Sequence, residues 1–538
     1  MTDKNKTQGF SSYKKGREKH GFPSKREFGF REERFEREER KVVTSIIDLR
    51  DGDFYRGVVK IMRKSQPGPV IYSVSDGYGS ADAVIKECEF ETDDVVEISG
   101  PVNERAGKLQ IELKRIDLAK IDFSSIIEKN SKPVERDFSI KSERLEKMKP
   151  LFYKVAQRIR KAILENQSIM IRHHADSDGI NAGLAIEQSC RGFMEKIGIN
   201  SEFNLYRSPS KAPFYEISDV FRDVVLTKRL IEGHGQKKPL VLVLDNGSTP
   251  EDVFGIRTLK SLGFEIIVID HHNPVVVYEG KTLVDPYLSA HINPYIVGLD
   301  SQTCAGMLCY ETARLIFEEY ENPSIPAVAG ISDRCRIQET EDYIIKSGKT
   351  REELESIGTA VDFIAYNLKY DAGKGLFEEL YANPEFVKII IEEVNKGIEN
   401  QLQSTMPYLR TQEIEGVTFS TIDLEKYTMR FKYPTPGKVI GLLHDQVTIG
   451  KENLPIISLG VLSDMVIVRA TKPILPVDKM IKTLKKELPY AHIEGGGHEC
   501  AGAIKFVSAH QEAVVENIRN QVKKLDYVNS KKDDTCNI

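Results

Sequence analysis

The sequence predicts an α/β protein with a mainly parallel, doubly wound sheet, a second α/β domain and an N-terminal β-barrel. Three observations support this class. Apolar strand patterns alternate with helical patterns over residues 168–270, which is typical of βαβ units. Short β-rich runs separated by turn residues precede them at 53–118, and further short apolar runs with a helix follow at 417–507. At 538 residues the chain can form roughly two to four domains.

Residues 1–40 mix Lys, Arg and Glu with Phe, Gly and Ser and show no apolar period. Such a composition cannot bury enough apolar surface to fold, so we expect a disordered charged tail. The stretch "GFPSKREFGFREERF" contains aromatic and basic residues that could stack on single-stranded nucleic acid. Its interleaved glutamates favour a solvated tail instead.

Residues 41–122 contain β-rich runs with turn chemistry between them: "FYRGVVKIM", "PVIYSVSDG", "ADAVIK", "DVVEISGPV" and "KLQIELKRIDLA". Five strands separated by "QPGP", "DGYGS" and "NERAG" indicate a small barrel. Their order resembles the OB-fold, a barrel that many nucleic-acid-binding proteins contain. We expect this barrel to bind nucleic acid, and docking to another protein is the alternative.

The next domain, 143–340, begins with the amphipathic helix "RLEKMKPLFYKVAQRIRKAILEN". Its predicted strands are "SIMIRHH", "FNLYRS", "PLVLVLD" and "FEIIVID", and the helices between them include "INAGLAIEQSCRGFMEKIG" and "TPEDVFGIRTLKSLG". A helical connector at 341–405 leads to a last domain at 406–530. That domain has the strands "VTFSTID", "PIISLGVL", "MVIVRAT" and "GAIKFV" and the helix "VDKMIKTLKKEL".

Acidic and imidazole residues follow several of these strands. They are Asp176 and Asp178 after the first strand, Asp245 after "PLVLVL", and Asp270, His271 and His272 after "FEIIVI". The carboxyl ends of parallel strands share one edge of a sheet, so we expect these side chains to converge. Asp333 follows a helix that begins near Ile325 and could return to the same edge.

A single aspartate after a strand is usually a turn residue or a helix N-cap, but several acidic motifs at one edge favour a metal site. Clustered carboxylates repel one another unless cations neutralise them. Carboxylates together with imidazoles are ligands that suit Mn²⁺ or Mg²⁺. The number of candidate ligands exceeds what a single catalytic ion with an open coordination position needs. Two ions about 3.5–4 Å apart can activate a water and screen a phosphate, which predicts phosphoester hydrolysis.

The motifs "HADSDG", "LDNGS", "DHH" and "GISD" together resemble those of the DHH phosphoesterase family. The later "EGGGHECAGA" resembles the glycine-rich motif of its companion domain, DHHA1. The resemblance extends from about residue 143 to 525. With the OB-like barrel, the chain is similar to RecJ-like single-strand exonucleases, particularly those of the archaeal type.

The resemblance implies a set of metal ligands: His174, Asp176, Asp178, Asp245, His271 and Asp333. It implies that Asp245, His271 and His272 are catalytic, with Asp245 as the bridging ligand and His272 facing the substrate phosphate. His174 stands where RecJ-type nucleases often have an aspartate, and Arg172 stands where several members have a histidine. We interpret His173 as structural.

The last domain contains further candidates for substrate binding, which with His272 are Arg469, Gly495, Gly496, Gly497 and His498. Glycines let a backbone approach a phosphate closely, and His498 adds a hydrogen-bond donor. Arg469 matches the place of a family arginine that could clamp a phosphate. The segment "YPTPGKVIGLLHD" resembles the family's helix-entry motif, so Gly437 and Lys438 are also candidates for strand contact.

These observations predict an exonuclease that uses two Mn²⁺ or Mg²⁺ ions to degrade single-stranded DNA or RNA in replication or repair. One alternative is a phosphodiesterase for short oligoribonucleotides or cyclic dinucleotides, and another is a non-catalytic DHH scaffold of a replicative helicase. The expected partners are single-stranded nucleic acid and a helicase or replication factor. The formal net charge of −5 requires nucleic acid to bind at local basic surfaces.

The sequence also predicts a cytoplasmic location without membrane contact. No apolar run approaches the roughly 20 residues of a membrane span, and the first residues are polar where a secretory signal would be apolar. The seven cysteines are scattered without a CxxC pair, which indicates reduced thiols and neither a disulfide framework nor a zinc site.

Overall fold

The structure, a computed structural model, describes residues 41–65, 68–105, 107–210, 212–234, 236–429, 431–451 and 453–525. The predicted charged tail at 1–40 lies outside them. The described residues form three sheets, which we call the barrel, the parallel sheet and the mixed sheet. No helix within this part of the chain is long and apolar enough to cross a membrane.

The barrel contains the strands β1 (Val42–Val43), β2 (Phe54–Ser65), β3 (Val70–Ser75), β4 (Ser80–Ile85), β5 (Val95–Arg105), β6 (Lys108–Glu112) and β7 (Arg115–Leu118). The order β2-β3-β4-β6-β5 closes because β5 pairs again with β2. This confirms the predicted five-strand barrel. The last predicted run is divided into β6 and β7, because the register against β5 shifts by one residue between Ile111 and Arg115.

The parallel sheet and its helices comprise α1 (Phe123–Asn130), α2 (Glu143–Leu164), β8 (Ile169–His173), α3 (Ser177–Lys196), β9 (Leu205–Pro209), α4 (Ile217–His234), β10 (Leu240–Leu244), α5 (Val253–Ser261), β11 (Glu265–Ile269), β12 (Ala290–Ile292), α6 (Ala305–Ile316) and α7 (Ser324–Ser332). The strand order is β12-β11-β10-β8-β9, and every pairing is parallel. This confirms the predicted doubly wound class.

The central strand β10 shows why the run "LVLVL" is apolar without alternation. Leu242 and Leu244 belong to the core under α2, α3 and α6, while Val241 and Val243 belong to the core on the opposite face. Helices cover both faces of the sheet, so every side chain of this strand is buried.

A helical segment follows, and the mixed sheet comes after it. The elements are α8 (Gln338–Ser347), α9 (Arg351–Leu368), α10 (Leu376–Ala382), α11 (Pro384–Thr405), β13 (Arg410–Ile414), β14 (Val417–Asp423), α12 (Leu424–Tyr427), α13 (Pro436–Thr448), β15 (Ile456–Val461), β16 (Met465–Ala470), α14 (Val477–Glu487), β17 (Glu494–His498), β18 (Ala501–Lys505) and α15 (Gln511–Lys523). The strand order is β13-β14-β15-β16-β18-β17, in which only β14 and β15 pair in parallel. The glycine motif therefore forms an edge strand, β17.

Candidate metal centre

The carboxyl edge of the parallel sheet gathers the acidic and imidazole residues that follow its strands. Leu244 of β10 is in register with His173 of β8 and with Ile269 of β11. The residues that follow these strands therefore leave the sheet at the same level. Among the described residues, three overlapping groups have ligand atoms within 4.8 Å of one another: Asp245, His271 and His272; His174, Asp176 and Asp245; and Asp178, His271 and Asp333.

Asp245 lies between the ligand groups. Its Oδ2 is 3.5 Å from Nδ1 of His174, and its Oδ1 is 3.3 Å from Nε2 of His271. The two oxygens of one carboxylate thus face different sides of the site. The residues could hold two cations with Asp245 shared between them.

Both the burial and the backbone conformation of Asp245 are energetically unfavourable. It is 1% exposed, and neither of its oxygens accepts a hydrogen bond in proper geometry from the described residues. Its φ of 56° lies in the left-handed region, which costs an aspartate about 1–3 kcal/mol. A buried carboxylate is costly by several kcal/mol unless it is paired, so Asp245 needs positive charge from the neighbouring imidazoles or from a bound cation.

Asp178 is anchored at the start of α6. Its Oδ2 accepts a hydrogen bond from the amide of Ala305 at 2.9 Å, and its Oδ1 accepts one from Gly306 at 2.7 Å. Burial and the charge of Asp245 nevertheless raise the pKa of Asp178 well above its usual value. Burial also raises the pKa of Asp333 to about 6, and Asp245 adds to this increase. Both carboxyls therefore favour a nearby cation.

His271 is oriented toward the carboxylates by a backbone carbonyl. Its Nδ1 lies 2.7 Å from the oxygen of Ser301, so Nδ1 carries the donated proton and Nε2 faces Asp245 and Asp178. Burial alone would lower the pKa of His271, but Asp333 and the other carboxylates hold it well above its usual value. The imidazole is placed as a ligand whose proton a metal would replace.

Asp176 has two roles in the structure. Its Oδ1 caps α3 by accepting a hydrogen bond from the amide of Gly179 at 3.0 Å, while its Oδ2 lies 2.9 Å from Nδ1 of His174. Burial would raise the pKa of Asp176, but His174 outweighs it and lowers that pKa far below its usual range. One carboxylate therefore begins the helix and also contributes to the site.

His272 lies beside these groups, and 14% of its side chain is exposed. Its Nδ1 is 2.8 Å from Oδ1 of Asp270, so its Nε2 faces away from that carboxylate. Burial would lower the pKa of His272, but Asp270 raises it. The sequence predicted that Asp270 lies at this edge but assigned it no role, and the structure places it as the hydrogen-bond partner of His272.

His173 and Arg172 point away from the carboxyl edge that carries these candidate ligand groups, which we call the metal edge. Nδ1 of His173 contacts the carbonyl of His174 at 2.7 Å, and its Nε2 lies 3.3 Å from Arg207. Burial and Arg207 lower the pKa of His173 to about 3. Arg172 forms a buried ion pair with Asp223.

The predicted substrate-binding residues of the mixed sheet lie at one level of it, because Arg469 of β16 and His498 of β17 are both in register with Ala501 of β18. Nη1 and Nη2 of Arg469 donate to the carbonyls of Val468 at 3.0 Å and of Gly437 at 3.5 Å, and burial lowers its pKa to about 10. Gly495, Gly496 and Gly497 lie in β17, where a Cβ on Gly496 would be 3.3 Å from the ring of Phe214. His498 ends β17, and its side chain lies outside the described part of the structure.

Two ion pairs connect α13 with the region around the metal edge. Arg334, which directly follows Asp333, contacts both carboxylate oxygens of Asp445 at 3.1–3.3 Å. Lys438 pairs with Asp362 of α9. Sequence reasoning named Lys438 through its helix-entry motif but missed the other three partners, because each pair joins residues far apart in the chain.

A cavity of about 550 Å³ opens beside the end of α7. Arginine and glutamate side chains line much of it: Arg334, Arg336, Arg351, Glu341 and Glu355. Arg351 pairs with Glu341, and Arg334 pairs with Asp445. The lining includes Ile331 and Arg334, which flank Asp333 in the chain, and Arg336 contributes a further guanidinium group.

The chain is 36% identical over 536 residues to "Uncharacterized protein MJ1198" of Methanocaldococcus jannaschii, covering 89% of this chain and 70% of that protein. A solved structure described as "Member of s1p family of ribosomal proteins PF0399 DHH domain" is 36% identical, with a TM-score of 0.72, and covers 74% of this chain and 97% of its own. RecJ of Thermus thermophilus in complex with Mn²⁺ is 16% identical, with a TM-score of 0.48, and covers 70% of this chain and 55% of its own. No protein-family model matches the chain. Since the solved DHH-domain structure is 36% identical and almost completely covered, the chain belongs to the DHH-domain family.

Proposed function

We propose that the chain is a metal-dependent phosphodiester hydrolase that degrades single-stranded DNA or RNA as an exonuclease. The observation that carries this proposal is the position of Asp245, whose two oxygens face His174 on one side and His271 on the other. A carboxylate shared in this way is what a pair of cations requires.

The residues at the edge fit two hard divalent cations. Carboxylate oxygens and imidazole nitrogens are ligands that Mn²⁺ or Mg²⁺ accepts. The three ligand groups found among the described residues contain only aspartate and histidine, without a cysteine thiolate. His174 and Asp176 would hold one cation, Asp178, His271 and Asp333 would hold the other, and Asp245 would contact both. When bound, the cations supply positive charge that activates water and screens a phosphate.

The protein's own residues would position the scissile phosphate. His272 is held by Asp270 so that its Nε2 faces away from that carboxylate, toward the side where a substrate could approach. An imidazole at this place could donate its Nε2 proton to a phosphate oxygen while its Nδ1–H continues to donate to Asp270. The raised pKa of His272 favours the donating form.

Cationic side chains support a substrate longer than one phosphodiester. Arg334 and Arg336 line the cavity near the end of α7, and Arg469 is half-buried with its guanidinium near Gly437 at the start of α13. Phosphates that flank the scissile one would meet these guanidinium groups, which bind them in a bidentate way. Such contacts favour a strand over a small cyclic substrate.

The barrel surface favours a second candidate, a phosphodiesterase for short oligonucleotides. On β2, Arg56 pairs with Glu97, Lys60 with Asp93 and Lys64 with Glu91. On β3 and β4, the outward positions are Ile71, Ser73, Asp82 and Val84, which include neither a cation nor an aromatic ring. An OB-fold that binds a long single strand usually presents both cationic and aromatic side chains to it. The barrel could instead dock a protein.

Asp245→Asn tests the proposed hydrolysis, because it removes the shared charge without changing the size of the side chain. We expect hydrolysis of 5′-labelled and 3′-labelled DNA and RNA oligonucleotides to fall at least about 10³-fold in Mn²⁺ or Mg²⁺, with strand binding largely retained. Asp219→Asn is the matched control. Asp219 is also buried with no hydrogen bond to its oxygens from described residues, but it lies near Arg172.

Comparable hydrolysis by wild type and Asp245→Asn would contradict the proposal. Oligonucleotides of two to about twenty residues separate the candidates: an exonuclease degrades the long strands processively, whereas the short-substrate enzyme cleaves mainly the dinucleotide.

A further inference from the structure

Ser248 connects two loops of the metal edge. It follows Asp245 by three positions, and its amide donates to Oδ2 of Asp270 at 3.1 Å. Oδ1 of the same carboxylate lies 2.8 Å from Nδ1 of His272. The loop that carries the shared carboxylate is thereby joined to the loop that carries the phosphate-facing imidazole.

A buried network of side chains extends from this serine. Ser248 Oγ lies 2.9 Å from Nε2 of His291, and Nδ1 of His291 lies 3.2 Å from Oδ1 of Asp285. Nδ2 of Asn293 lies 3.1 Å from Ser248 Oγ and 3.0 Å from the carbonyl oxygen of His272. We call Ser248, Asp285, His291 and Asn293 the Ser248 network.

The contacts assign a direction to each hydrogen bond. Oδ1 of Asn293 accepts from the amide of Tyr295, so Nδ2 is the donor to both Ser248 and the His272 carbonyl. The Asp285 carboxylate only accepts, so Nδ1 of His291 carries a proton and donates it to Asp285. In the neutral tautomer Nε2 of His291 is then an acceptor, and Ser248 Oγ, which accepts from Asn293, donates its own proton to Nε2. Each donor in the Ser248 network thus has an acceptor, and a fully satisfied buried network of this kind is rigid.

The same three residue types form the nucleophilic triad of serine hydrolases, but burial excludes that role here. Ser248 and Asn293 are completely buried, and His291 is 5% exposed. A carbonyl substrate could not reach Ser248 Oγ, which also accepts the Asn293 amide. At the metal edge the network contacts Asp270 and His272, so its effect on the site passes through these two residues.

We infer that Ser248, His291 and Asn293 are positioning residues that fix the His272 imidazole at the metal edge. This inference rests on the proposed hydrolase function. Asp270 holds the ring and Asn293 holds the backbone of His272, while Ser248 bonds to Asp270 through its amide and to Asn293 through its hydroxyl. Residues that hydrogen-bond to the groups of a metal site without binding the metal typically change activity by about 10–100-fold when their side chains are removed.

Ser248→Ala and Asn293→Ala in the full chain test this role. We expect kcat for single-stranded oligonucleotides in Mn²⁺ to fall about 10–100-fold, while KM and Mn²⁺ affinity stay within about threefold of wild type. Ser289→Ala is the matched control, because its hydroxyl donates to the carbonyl of Ile266 at 2.9 Å without touching the network. It should retain wild-type kcat.

Substitutions of His291 provide a test of rescue. The amide of Gln reaches the position of Nε2 and can accept the Ser248 proton, whereas the amide of Asn reaches the position of Nδ1 and can only meet Asp285. We expect His291→Gln to retain most of the kcat and His291→Asn to lose it as Ser248→Ala does. Equal activities of the two variants would overturn the inference, as would wild-type kcat in Ser248→Ala or an equal loss in Ser289→Ala.

Nitrogen-15 NMR of labelled histidines supplies a measurement that does not need catalysis. The ring resonances of His272 should shift or broaden in Ser248→Ala and Asn293→Ala but not in Ser289→Ala. Unchanged His272 resonances would overturn the inference. If the wild-type protein hydrolyses no phosphodiester, the proposed function fails, and the NMR comparison still decides whether the network positions His272.

Discussion

At Gly179 a single added methyl group should disrupt the proposed metal centre. It lies in the first turn of α3, one residue after Asp178, and its amide binds Asp176. A Cβ at this glycine would be 2.4 Å from the carbonyl oxygen of His174 and 2.9 Å from Oδ2 of Asp245. The added methyl group would collide with a backbone carbonyl and with the carboxylate of Asp245. Neither of these groups can move away easily.

The size of the effect follows from these distances. Ordinary contact begins at 3.4 Å, so α3 must withdraw by about 1 Å from the His174 carbonyl in Gly179→Ala. The helix carries Asp178, and the cap residue Asp176 precedes it, so both carboxylates move with the helix. Overpacking of this kind costs about 1–3 kcal/mol of stability, and a misplacement of 1 Å at a reacting centre costs about 10²-fold in rate.

Calorimetric titration with Mn²⁺ and oligonucleotide hydrolysis measure the outcome. We expect Gly179→Ala to lose at least about tenfold in Mn²⁺ affinity and about 10²-fold in kcat, while the protein remains folded by circular dichroism. Gly192→Ala is the control on the same helix, where the Cβ would meet the ring of Phe317 at 2.4 Å, far from the metal edge. Wild-type Mn²⁺ affinity and kcat in Gly179→Ala would refute the reasoning.

Three further predictions concern the cations, the mixed sheet and pH. Excess chelator should abolish hydrolysis and added Mn²⁺ should restore it, because the buried carboxylates need a counter-charge; full activity in chelator would contradict the two-cation site. Arg469→Ala should raise KM for single strands at least about fivefold with a smaller change in kcat, and a loss confined to kcat would contradict its assignment to phosphate binding. Burial and Arg334 lower the pKa of His444 to about 4, although Asp445 opposes them. Because the unfolded chain takes up this proton near pH 6.5, stability should fall by up to about 2 kcal/mol as the pH drops from 7 to 5, and urea unfolding of His444→Gln should show a smaller decrease.

The sequence by itself determined the class of the fold and predicted which residues lie at the carboxyl edge of the parallel sheet. The run "LVLVL" is apolar at every position because β10 is buried on both faces, and the barrel strands alternate because only one face is buried. Asp245 directly follows a strand, so the position of the strand end was sufficient to predict its place at the edge. These features are local, and local periodicity reports them.

Only the tertiary structure decided how the residues of the edge are arranged. Asp245 lies between two ligand groups because β10 lies between β8 and β11 in the sheet. This strand order cannot be read from any local sequence pattern. The glycine motif pairs with β18 as an edge strand, although glycines alone indicate a turn as readily. Ser248 and His291 are 43 positions apart, yet they share a hydrogen bond. Such contacts depend on sheet order and on helix packing across long separations, which the spacing of residues along the chain does not encode.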